Sequence, residues 1–115
     1  MIDELPLAAD AYALAGKVYA STAKFSERER GSLGEQLRET VIQLATQTTD
    51  AVTTDDPAER QEMLRQANVS CLRMRLLLRI AGDMGELAAE MVQDAAARVA
   101  SVEEGIARER RSVRR

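Results

Sequence analysis

Four arginines carry most of what this sequence offers to chemistry. Arg65, Arg73, Arg75 and Arg79 fall within 63–82, a stretch with no Asp or Glu. The chain as a whole is acidic, with 16 basic against 19 acidic residues, a net charge of −3 and a pI near 5.1. Arg65, Asn68, Leu72, Arg75 and Arg79 are spaced 3, 4, 3 and 4 residues apart, which on a helix makes one nearly straight seam. Guanidinium groups in a row suit two kinds of contact. They pair with carboxylates of a neighbouring helix or protomer, for which Glu35, Glu39, Glu86 and Glu90 are candidates, or they bind phosphates or a protein partner. Sequence alone leaves both open.

Other reactive constellations are missing. The chain has no His and no Trp, and its one cysteine, Cys71, excludes an internal disulfide. Without histidine there is no Glu-x-x-His pair of the di-iron kind, no zinc ligand set and no His-activated nucleophile. Gly31 and Gly34 do not lead into Lys-Ser or Lys-Thr, so no phosphate loop exists. The acidic pairs Glu103–Glu104 and Asp55–Asp56 read as solvated surface. A catalytic role, a metal and a cofactor are not expected; binding or assembly is.

The elements that must position the arginines follow from periodicity. On the helix that carries them, Met63, Leu64, Ala67, Cys71, Met74, Leu78 and Ala81 form one apolar stripe, while Val69, Leu72, Leu76 and Ile80 form a second row on roughly the opposite side, with Leu77 between. A helix apolar on both sides is buried on both sides, so the second row is expected to be an oligomer interface. Asp56-Pro57-Ala58-Glu59 marks this helix's start and Gly82 its stop. Before it, Asp3 or Pro6 opens a first helix with the stripe Leu7, Ala11, Leu14, Val18, Thr22 and Phe25, and Tyr12 and Tyr19 lie on one flank as core-edge residues. Ser26-Glu27-Arg28-Glu29 has the capping-box form and opens a second helix, whose stripe runs from Leu33 through Leu37, Val41, Leu44, Thr48 and Ala51 to Val52, with Ile42 pointing away. After it, Asp83 caps a fourth helix with the stripe Met84, Ala88, Met91, Ala95, Val99, Val102 and Ile106.

Four amphipathic helices with short connections and no strand alternation give an all-α fold, an antiparallel up-down four-helix bundle over residues 1–107, with contact between protomers expected at the second apolar row. Residues 1–107 hold 11 basic and 18 acidic residues. The last eight hold five arginines (Arg108, Arg110, Arg111, Arg114, Arg115) and one glutamate, and are expected to fray as a basic tail. No signal pattern or apolar run of ~18 residues is present, so a cytoplasmic protein with no membrane contact is expected.

Two stretches resemble a known superfamily. K-F-S-E-R-E-R-G-S-L-G-E-Q-L-R (Lys24–Arg38) resembles the first connection and second-helix opening, and C-L-R-M-R-L-L-L-R-I-A-G-D (Cys71–Asp83) the third-helix ending, of the four-helix bundles that include ribosomal intervening-sequence proteins and the accessory variability determinant (Avd) proteins of diversity-generating retroelements. The resemblance implies a ring-forming subunit, typically a pentamer, that binds a reverse transcriptase and its template RNA without being the polymerase. It assigns partner or RNA contact to Arg73, Arg75 and Arg79 on the third helix and to Arg28, Arg30 and Arg38 at the opening of the second. Avd proteins that bind nucleic acid are markedly basic; this chain is acidic through residue 107. The alternative is a protein-interaction bundle of the intervening-sequence type with no nucleic-acid role. A neighbouring reverse-transcriptase gene would separate the two.

Overall fold

A computed structural model describes residues 5–113 of the chain. Its elements are α1 (Pro6–Thr22), a single turn α2 (Glu27–Arg30), α3 (Leu33–Thr53), α4 (Pro57–Asp83) and α5 (Ala89–Val113), with no strand among the described residues. The four long helices pack α1 on α3, α3 on α4, α4 on α5 and α5 back on α1, in a rod 46 Å long and about half as wide. Asp3, the other candidate for the first helix start, and Arg114 and Arg115 lie outside the described residues.

The core is the expected set of stripes. Leu7, Ala11, Leu14 and Val18 of α1, Leu37, Val41 and Leu44 of α3, Leu64, Cys71, Met74 and Leu78 of α4, and Val99, Val102 and Ile106 of α5 are all buried in one cluster. Aliphatic residues supply nearly all of it, which lets helices approach closely. Thr22 and Thr48 sit inside it because each hydroxyl donates back to its own helix, to the Val18 carbonyl at 2.8 Å and the Leu44 carbonyl at 2.9 Å. Gly105 is buried where α5 meets α1: a Cβ there would lie 3.0 Å from Leu7 Cδ1.

Four boundaries differ from the sequence expectation. The second helix breaks at Gly31–Ser32 into α2 and α3, and Arg38 Nη2 bridges the break by donating to the Arg30 carbonyl at 2.8 Å. Gly34 permits this, since a Cβ there would meet the Glu29 carbonyl oxygen at 3.1 Å. At the other end of α4, Gly82 does not stop the helix. Gly85, at φ +76°, does, with the Glu86 amide donating to the Ala81 carbonyl and the Gly85 amide to the Gly82 carbonyl, the Schellman arrangement. Asp83 is thus the last residue of α4 and no cap. The phase of α5 starts afresh at Ala89, so Met84, Ala88 and Met91 are exposed, Leu87 is buried and Val92 is partly so; the expected stripe holds from Ala95 onward. Finally, Arg108, Arg110 and Arg111 continue α5 as helix to Val113 instead of fraying at 107.

Candidate interaction surface

The row Val69, Leu72, Leu76 and Ile80 lies on the side of α4 opposite its buried stripe, because the two sets are about 180° apart at 100° per residue. All four side chains face solvent, from 37% exposed at Ile80 to 68% at Leu72, whereas Leu77, between the rows, is buried. A helix in a monomeric bundle normally turns charge outward at these positions. Here Val69, Leu72 and Leu76 join Arg73, Arg75 and Arg79 in one continuous surface depression.

The arginines around this row divide by what they touch. Arg75 reaches α5: its Nε donates to Glu103 Oε2 at 3.2 Å and its Nη2 to Oε1, and this pairing raises the Arg75 pKa. Arg73 turns the other way, toward α3, where its Nε donates to the Thr40 hydroxyl at 3.0 Å and its Nη2 to Gln36 Oε1 at 3.5 Å. Both acceptors are neutral, so the Arg73 charge remains uncompensated. Arg65 is held on its own helix by Glu62 at 2.6 Å, and the Arg65 hydrogen bond, then that of Gln66, draws the Glu62 carboxyl down to about 2. Arg79 has no hydrogen-bond or ion-pair partner among the described residues. Within one copy the carboxylates that reach these arginines are Glu103 and Glu62, not Glu35, Glu39, Glu86 or Glu90. Of the four arginines of α4 singled out from the sequence, only Arg73, off the seam, and Arg79, on it, present unbalanced charge.

The remaining basic candidates are apart from this surface. Arg28 and Arg30 are exposed on α2, which Ser26 joins to the α4–α5 turn through Glu86. Arg108, Arg110 and Arg111 follow Gly105, which packs on Leu7 near the start of α1. These two groups occupy opposite ends of the rod. Arg38 donates to the Arg30 carbonyl, a neutral acceptor, and lies on the side of α3 facing α1.

A second surface was not assigned from sequence. Tyr12 and Tyr19 are well exposed instead of lying at the core edge. Together with Ile42 they line a groove between α1 and α3: Tyr19 meets Glu35, Arg38, Glu39 and Gln43, and Tyr12 meets Ala45, Thr46, Thr49 and Asp50, with Ile42 common to both halves. Glu35, Glu39 and Asp50 form no ion pair among the described residues. The signal was present in the outward Ile42 and the tyrosine pair one heptad apart, but these sit on different helices, and only the α1–α3 packing brings them together.

Cys71 is buried beneath the α4 row; burial first, and the nearby Glu103 second, push its thiol up to about 12. Among the described residues no group of three or more Cys, Asp or Glu side chains could hold a metal ion, and no helix is long and apolar enough to cross a membrane. No protein-family model matches the chain, and no curated protein matches it.

Proposed function

We propose that this chain is a non-catalytic assembly subunit, an antiparallel up-down bundle that associates with further copies of itself through the outer row of α4. The observation that carries this reading is the exposed row Val69, Leu72, Leu76 and Ile80. Covering such side chains is worth about 1.5–3 kcal/mol each before the costs of ordering and association are subtracted, which is enough to hold protomers together. The up-down order is supported by pairings that run in opposite senses between neighbours: Lys17 with Asp94 and Leu7 beside Gly105 for α1 and α5, Ser70 with Gln47 and Arg73 with Gln36 for α4 and α3.

Within that role, the resemblance of 24–38 and 71–83 to Avd proteins points to an accessory scaffold, in ring form, for a reverse transcriptase and its template RNA. Arg73 and Arg79 carry charge left uncompensated within one copy and are available to a neighbouring copy or to such a partner. The runner-up, a protein-interaction bundle without RNA, is favoured by the compensation of Arg65 and Arg75 and by the acidic surface. Light scattering tests the assembly: wild type should exceed one chain's mass at micromolar concentration, and Leu76→Glu should shrink the particle with helicity retained. A wild type that stays monomeric ends the reading. Capture of template RNA and reverse transcriptase by wild-type protein then separates the two roles; binding of neither selects the runner-up.

A further inference from the structure

The outer row of α4 needs a surface to cover it, and the chain carries one that matches. We infer that the α4 row of one copy seats in the α1–α3 groove of the next, so that association is head-to-tail. This inference rests on the assembly reading above and names the surface that receives the row.

Three observations support the match. The first is chemical: an aliphatic row meets a groove lined by the exposed Tyr12, Tyr19 and Ile42, and amphipathic tyrosines are favoured where a contact is apolar at its centre and wet at its edge. The second is charge. Arg73 and Arg79 bring uncompensated positive charge to the row, while Glu35, Glu39 and Asp50, none of them in an ion pair among the described residues, outnumber the one cation on the groove, Arg38. The third is length. At a rise of ~1.5 Å per residue, the row spans about 16 Å and the groove, from Glu35 to Asp50, about 22 Å.

Pairing the row with itself would fit worse. A two-fold contact would bring Arg73 and Arg79 of both copies together in one interface and leave the tyrosine groove bare. Because row and groove are different patches, their contact is heterologous and propagates from copy to copy until the rotation closes a ring.

Mixing tests this directly. Leu76→Glu removes the row and keeps the groove; Ile42→Glu removes the groove and keeps the row. Both sites are exposed, and circular dichroism checks that each variant remains helical. Each variant alone should be monomeric where wild type is assembled. An equimolar mixture should give a species of twice the 12.7 kDa chain and nothing larger, since only one live row and one live groove remain to meet. Glu35→Arg with Glu39→Arg, which alters no apolar residue, should weaken wild-type assembly at least ten-fold at low salt. An Ile42→Glu variant that assembles like wild type, or a mixture that stays monomeric, overturns the head-to-tail contact while leaving assembly through α4 intact. A monomeric wild type removes both.

Discussion

Arg75 and Arg79 lie one helical turn apart on α4, yet Glu103 reaches only the first. The Arg75 pair is about one-third exposed on both sides, so its worth is that of a partly solvated ion pair, roughly 0.2–1 kcal/mol. Arg75→Ala should therefore lower stability by that small amount in urea unfolding, whereas Arg79→Ala should leave the unfolding midpoint where it is and weaken partner capture instead. Equal effects of the two substitutions on stability would show that the structural division between them is not respected in solution. Beneath them, the Cys71 thiol has a pKa raised from 9.0 to about 12. The folded state thus holds its proton more tightly than the unfolded chain. That contribution to stability is fully present below pH 9 and is lost as the pH rises toward 12, because the unfolded thiol ionises first. At pH 10 the loss should reach ~1.4 kcal/mol relative to pH 8, and the corresponding part of the alkaline slope should vanish in Cys71→Ala. The difference in slope between the two proteins, read from urea midpoints, isolates the contribution of the thiol.

At the scale of elements, the turn before α2 shows how a local pattern is reused by a distant one. Ser26 caps α2 as its S-x-x-E form predicts, its hydroxyl accepting the Glu29 amide at 3.4 Å. The reciprocal bond expected from the Glu29 side chain is made by Glu86, sixty residues later: the Ser26 amide donates to Glu86 Oε1 at 2.7 Å and the Ser26 hydroxyl to Oε2 at 3.0 Å. Glu86→Ala should therefore destabilise the protein by about 0.5–2 kcal/mol, the usual range for loss of a cap, while Glu29→Ala should cost less; the opposite ranking in thermal unfolding would return the cap to its local partner. The same contrast explains how much of the fold was legible. Stripes such as Leu37, Val41 and Leu44 need only a period near 3.6 to be read, and the four long helices and their buried faces followed from that, save at the start of α5, where Met84, Ala88 and Met91 face out. What needed tertiary knowledge was lost: two glycines stand near the end of α4, and only the turn onto α5 selects Gly85 over Gly82 as the left-handed residue. For the site, the outer row was legible because four apolar residues had no reason to face water. The carboxylates that hold Arg65 and Arg75 were not, since several acidic residues offered equally plausible partners and helix-to-helix register decides among them.

For the molecule as a whole, charge placement sets the terms on which nucleic acid could be bound. Residues 1–107 are acidic, and the five C-terminal arginines lie beyond them; the part of that segment within the described residues is helical and carries Arg108, Arg110 and Arg111 at one end of the rod. Three to five cations on a single copy neutralise too few phosphates for useful affinity at physiological salt, because each contact contributes through counterion release and the acidic bundle opposes approach. Several copies held in one assembly change this, since a strand bound at one end meets the next at high effective concentration and avidity multiplies weak contacts. The proposed RNA role therefore requires assembly. Leu72→Ser with Leu76→Ser, which adds no carboxylate beside Arg73 and Arg79, should reduce RNA affinity by at least ten-fold in filter binding, and removal of residues 108–115 should weaken it and flatten the dependence of log K on log salt while leaving the assembled mass unchanged. RNA binding that survives dissociation of the subunits would place the contact on a single protomer, where Arg73 and Arg79 are the available charges, and unchanged affinity after truncation would leave the terminal arginines a solubilising role.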